Sequence, residues 1–86
     1  MEYIYIVIEN SDLYPSAFIT YKSAMLSIKE KHQEYLKELI KELDNFFDIE
    51  CLINNINVPE NTETGVSRLY IEKGINIEIH KIPIIH

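Results

Sequence analysis

The chain predicts an α+β domain: an antiparallel β-sheet with one long amphipathic helix packed on one face, in the order β-β-α-β-β-β. Three observations predict it. Tyr3, Ile4, Tyr5, Ile6, Val7 and Ile8 form a run of β-branched and aromatic residues. Residues 21–46 carry a stripe of apolar side chains at helical spacing. Two alternating runs near the C-terminus flank Glu72, Lys73 and Gly74, a hairpin signal.

The first run is apolar at both parities, which marks a central strand covered on both faces. Residues 9–15 follow as a polar loop with turn chemistry at Asn10, Ser11, Asp12 and Pro15. Ala17, Phe18 and Ile19 read as a short strand pairing back on the first. Thr20 is a helix N-cap by type and position.

Behind that cap, the stripe runs through Tyr21, Ala24, Met25, Ile28, Tyr35, Leu36, Leu39, Ile40, Leu43 and Phe46, and His32 interrupts it. On the opposite face a ridge of Lys29, Lys37 and Lys41 neighbours a ridge of Glu30, Glu34, Glu38 and Glu42. Asn45, tolerant of left-handed geometry, is the expected end of the helix. Ile49, Cys51 and Ile53 alternate, so residues 49–58 read as a strand that bulges at Asn54, Asn55 and Asn57. Residues 59–65 form a loop. In the terminal hairpin, a three-residue turn sets Leu69 opposite Ile77, Ile71 opposite Ile75, and Arg68 opposite Glu78.

One domain spans all 86 residues. Cys51 is alone, so no internal disulfide forms. The N-terminus lacks a basic start and a small-residue cleavage site, and the apolar runs fall short of a membrane span. A cytoplasmic protein without membrane attachment is expected. Fourteen acidic residues outnumber eight basic ones, giving a net charge of −6. No dense Lys/Arg block exists, which disfavours direct nucleic-acid binding. Isoleucine and asparagine are abundant, a bias of AT-rich genomes such as those of some viruses, phages and bacteria.

Gly65 and Gly74 are too far apart to build a phosphate-cradling loop, so no nucleotide fingerprint is present. His32, His80 and His86 show no ligand spacing, and neither a metal site nor a cofactor is expected. His32 sits on the helix stripe as a core histidine. His86 ends the chain, where a purification tag would also place a histidine. Cys51 reads as an inert core thiol. Arg68, Tyr70, Glu78 and His80 share one parity of the terminal hairpin. They are the candidate ligand-binding cluster, against the simpler reading of a cross-strand ion pair on a solvated face.

Apolar surface is in surplus. A helix over residues 21–45 would be about 37 Å long, against a compact diameter of roughly 31 Å for this chain length. One helix covers one sheet face, and Ile82, Ile84 and Ile85 add apolar material beyond the last strand. A homodimer and a further protein partner are expected, through an interaction surface of Tyr35, Leu39, Leu43, Phe46, Ile82, Ile84 and Ile85. The alternative is a tail that folds back and a helix that breaks near His32.

The opening strand, followed by Ser16, Ala17, Phe18, Ile19, Thr20, Tyr21, Lys22, Ser23 and Ala24 entering a helix, resembles small uncharacterised hairpin–helix–hairpin proteins of large DNA viruses and phages. A terminal hairpin over residues 69–79 closes the sheet in that pattern. The resemblance implies no catalytic residues and suggests contact with a host macromolecule in the host cytoplasm. The leading expectation is thus a non-enzymatic protein-interaction module. The others are a protein that binds or sequesters a nucleotide or metabolite at a dimer interface, and a small enzyme using the Tyr/Arg/Glu/His sheet face.

Overall fold

The computed structural model describes residues 2–71 and 74–85, with the side chains of Ile53 and Asn55 left aside. The elements run β1 (Tyr3–Glu9), β2 (Asp12–Leu13), α1 (Tyr21–Lys31), α2 (Gln33–Glu42), α3 (Phe46–Ile56), β3 (Val66–Ile71) and β4 (Ile75–Pro83). The strands form one antiparallel sheet in the order β2-β1-β4-β3. The fold class is α+β, as the sequence predicts, but three helices replace the single long one. The β1 run is central, flanked by β2 and β4.

The hairpin after β1 is tighter than the sequence suggests. Asn10 (φ 47°) and Ser11 (φ 74°) both adopt left-handed geometry, the conformation of a two-residue turn matched to strand twist. β2 therefore returns at once, pairing Ile8 with Leu13. Residues 17–19 form no full strand. Phe18 makes one isolated bridge to Tyr5, through backbone hydrogen bonds of 2.7 and 2.9 Å.

α1 starts where Thr20 Oγ1 accepts the Ser23 N–H at 3.0 Å. A Thr20→Ala variant is expected to lose about 1 kcal/mol of stability, read by urea denaturation. The helix breaks at His32, between α1 and α2. A tertiary contact sits at the break. Glu9, on the core parity of β1, receives the Tyr14 hydroxyl at 2.9 Å and lies 2.5 Å from His32 Nε2, while Lys31 Nζ donates to its other oxygen at 3.2 Å. The Lys31 ammonium also sits 4.7 Å from the Tyr14 ring centroid.

Residues 49–58 do not form the expected strand. α3 begins after Asn45, whose Oδ1 accepts the Phe47 N–H at 2.8 Å. Asn45 thus caps the start of a helix instead of ending one. Ile49, Leu52, Ile53 and Ile56 follow helical spacing, and Leu52 and Ile56 are buried. Cys51 is consequently exposed on α3 and is not a core thiol.

The terminal hairpin has the expected register, with Leu69 opposite Ile77, Ile71 opposite Ile75, and Arg68 opposite Glu78. Gly74 is left-handed, with φ 79°. Glu72 and Lys73 of that turn lie outside the described residues, as does His86.

The helices cover one sheet face. Tyr5, Val7, Leu69, Ile71, Ile77 and Ile79 point into it and pack with Ala24, Met25, Ile28, Leu39, Leu52 and Ile56. The molecule measures 51 × 25 × 19 Å, with a radius of gyration of 13.9 Å; a compact chain of this length would have about 12 Å.

Candidate functional site

Alternation along each strand places every second side chain on the face without helices. β1 contributes Ile4, Ile6 and Ile8, all half-buried. The pairing register then orders this open face in rows across the sheet. Ile4 neighbours Ile82. Ile6, His80 and Val66 form the next row. Leu13, Ile8, Glu78 and Arg68 form the third, and Asn76 beside Tyr70 the fourth. Leu13 is 64% exposed. Half of the face is therefore aliphatic, and one corner is polar.

The four residues chosen as a ligand cluster all lie here. Arg68 Nε donates to Glu78 Oε2 at 3.1 Å. His80 Nε2 stands 3.9 Å from Glu78 Oε1, beyond hydrogen-bond length. Tyr70 is exposed one row further along. Buried between neighbouring side chains, the His80 Nε2 atom has no hydrogen-bond partner among the described residues.

A shallow depression of about 550 Å³ beside this corner is lined by Ile8, Asn10, Arg68, Asn76 and Glu78, among others. It is open to solvent, and Arg68 already engages the carboxylate. This arrangement offers recognition more readily than general acid–base chemistry, which needs a positioned and desolvated group.

The proposed interaction residues divide. Leu39 is buried in the core, and Tyr35 and Leu43 pack against that core. Phe46 is 78% exposed, with Phe47 beside it. Ile82 lies on the open sheet face, and Ile85 is exposed. Ile84 is half-buried, its N–H bonded to the Glu2 carbonyl at 2.9 Å, so the tail continues along β1. Between α2 and α3 runs a second, smaller groove of about 250 Å³, floored by Leu36, Ile40, Leu52 and Ile56 and rimmed by Lys29 and Lys37.

The Glu9 cluster escaped the reading of the sequence, though a signal existed. An acid on the core parity of β1 and a histidine on the core stripe of the helix each needed a partner, and each is the other's. Burial alone would raise the Glu9 carboxyl. Hydrogen bonds from His32, Tyr14 and Lys31 outweigh it and hold the group below its ordinary value. Burial and the Glu9 contact push the Tyr14 hydroxyl well above its ordinary value. The charges in this cluster satisfy one another, which identifies it as structural.

Among the described residues, no group of three or more His, Cys, Asp or Glu is placed to hold a metal ion. No described helix is long and apolar enough to cross a membrane. No protein-family model, curated protein or solved structure matches this chain.

Proposed function

We propose that the chain is a small non-enzymatic interaction module whose contact surface is the open sheet face, and that it self-associates there as a homodimer. The observation that carries this reading is the row of Ile4, Ile6 and Ile8 on the central strand, continued by Leu13, Val66 and Ile82 and covered by no helix. A contiguous aliphatic face of this kind is unusual on a monomer and common at contacts. The composition and the hairpin–helix–hairpin resemblance favour a viral or phage source. A host protein in the cytoplasm is then the further partner, met by the exposed Phe46 and Phe47 at the start of α3.

A second reading, a small ligand held at the dimer interface, draws on the open depression lined by Arg68, Asn76 and Glu78. A thermal-shift screen with nucleotides and metabolites tests it.

Sedimentation equilibrium tests the main reading. The wild type is expected to be dimeric at tens of micromolar, and Ile6→Lys to be monomeric with an unchanged helical signal. A wild type that stays monomeric up to about 1 mM, a concentration at which even a contact of about 4 kcal/mol would register, removes the reading.

A further inference from the structure

We propose that the outer edge of β3 is a self-pairing site, where a second copy adds its own β3 antiparallel with Arg68 of each copy opposite Tyr70 of the other. The sheet then runs continuously through both copies. This contact is separate from the open face and does not depend on it.

The ladder shows which backbone groups are free. Lys81 N–H donates to the Gly65 carbonyl at 2.7 Å, so these opposed residues form a hydrogen-bonded pair. In an antiparallel ladder such pairs recur at every second position. Ser67, Leu69 and Ile71 therefore bond to Ile79, Ile77 and Ile75 of β4. The other side of β4 agrees, because its even-numbered positions serve β1, as Asn76 does in accepting the Asn10 N–H at 2.9 Å. Val66, Arg68 and Tyr70 consequently aim their N–H and C=O groups away from the sheet. At Val66 the Thr64 hydroxyl serves both, donating to the carbonyl at 3.2 Å and accepting the N–H at 3.3 Å. Among the described residues, no hydrogen bond reaches the outward groups of Arg68 and Tyr70.

The opposite edge is closed. β2 pairs with Ile8 and Glu9, Phe18 bridges Tyr5, and the Tyr14 N–H donates to the Val7 carbonyl at 2.9 Å. Proteins guard a free edge with proline, lysine or a bulge, because its unpaired groups template a further strand. Val66–Ile71 contains none of these. Its one charge, Arg68, leans toward Glu78 on β4 and away from the edge.

Symmetry selects the occupant and the register. A two-fold contact must match its own rotated copy, and outward residues must face outward residues. An axis at Arg68 would set guanidinium against guanidinium. An axis at Tyr70 would carry Arg68 past the end of the facing strand. An axis at Leu69 pairs each Arg68 with a Tyr70, so every free N–H meets a free carbonyl. On the open face it also lays each guanidinium beside a tyrosine ring, its cation–π partner. Leu69 and Ile71 stay sealed on the helix side. An extended peptide from another protein offers the same backbone bonds, whereas the second copy also answers each side chain. Two hydrogen-bonded pairs make a small contact, so edge pairing sets in at higher concentration than face pairing.

Disulfide trapping reads the register. Every variant carries Cys51→Ser, which removes the exposed native thiol, and Ile6→Lys, which takes the open face out of the result. The Cα atoms of a hydrogen-bonded pair lie about 5.5 Å apart, within disulfide reach, whereas the two Arg68 positions, or the two Tyr70 positions, lie beyond about 7 Å. An equimolar mixture of Arg68→Cys and Tyr70→Cys is expected to cross-link under oxidised glutathione about tenfold faster than either variant alone. The mixed pair also keeps one native Arg68–Tyr70 contact. Circular dichroism establishes that both variants are folded. Either variant cross-linking alone as fast as the mixture overturns the proposed register. Equal rates in all three reactions overturn self-pairing and leave the edge to an extended peptide of another protein. Neither result bears on the open face, which sedimentation of the wild type decides.

Discussion

Replacing Ile79 with alanine is expected to lower folding stability by about 3–4 kcal/mol. Ile79 is 1% exposed and lies between Val7 and Ser67 on the helix-covered face. Truncation there removes apolar burial and leaves a cavity that the close-packed neighbours cannot fill. A domain of this size has a total stability on the order of 4–13 kcal/mol, so the loss takes a large share of it. The thermal midpoint should fall by roughly 12 °C or more. Ile6→Ala supplies the contrast. Ile6 sits on the neighbouring strand, facing the open side, and measured at high dilution its truncation should cost about 1 kcal/mol or less, because water already reaches it. Equal costs at the two positions would mean that both sheet faces are equally covered, contrary to the architecture described.

Glu9→Gln is expected to destabilise the fold by about 1–3 kcal/mol near neutral pH. His32, Tyr14 and Lys31 all converge on this carboxylate, and a neutral amide cannot accept from all three as the anion does. The pH dependence has a definite sign. The folded-state pKa of Glu9 lies below its unfolded value, so the stabilisation is fully present above an ordinary glutamate value of about 4.3 and is lost as pH falls through the folded value. Glu9→Gln should therefore flatten the acid limb of a plot of stability against pH. On the alkaline side the sign reverses. Burial raises Tyr5, Tyr14 and Tyr21, so their contribution holds below about pH 10 and fades as pH rises through the folded values. Urea denaturation from pH 3 to 11 reads both limbs.

How much of this was legible in the sequence depends on whether the cause is local. The strands β1, β3 and β4 were legible, because β-branched alternation and the chemistry of Gly74 are properties of a few adjacent residues, whereas β2 fell within residues read as a loop. The register of the terminal hairpin was legible too, since only one turn length seats Leu69 across from Ile77. The helix break near His32 was legible only as the alternative to one continuous helix. His32 interrupts the stripe visibly, but its partner Glu9 lies on a strand, and no local pattern reports that distance. α3 was misread because Ile49, Cys51 and Ile53 satisfy a period of two while Ile49, Leu52, Ile53 and Ile56 satisfy one of 3.6, and a short apolar run does not arbitrate. That error carried over to the candidate surface. With a strand in place of α3, Leu39 looked free for a partner; in the structure it is core. Arg68, Glu78 and His80 were placed on one face correctly because strand parity alone decides it.

The central claim is that the open sheet face is a contact surface and not merely a solvated one. Isoleucine methyl NMR tests it most directly, since isoleucines mark both faces. On dilution from about 1 mM to about 10 µM, a range that spans a micromolar equilibrium, the methyl signals of Ile4, Ile6, Ile8 and Ile82 should move together. Those of Ile28, Ile71 and Ile77, sealed beneath the helices, should stay fixed. Open-face methyls that hold their positions across the whole range would contradict the account.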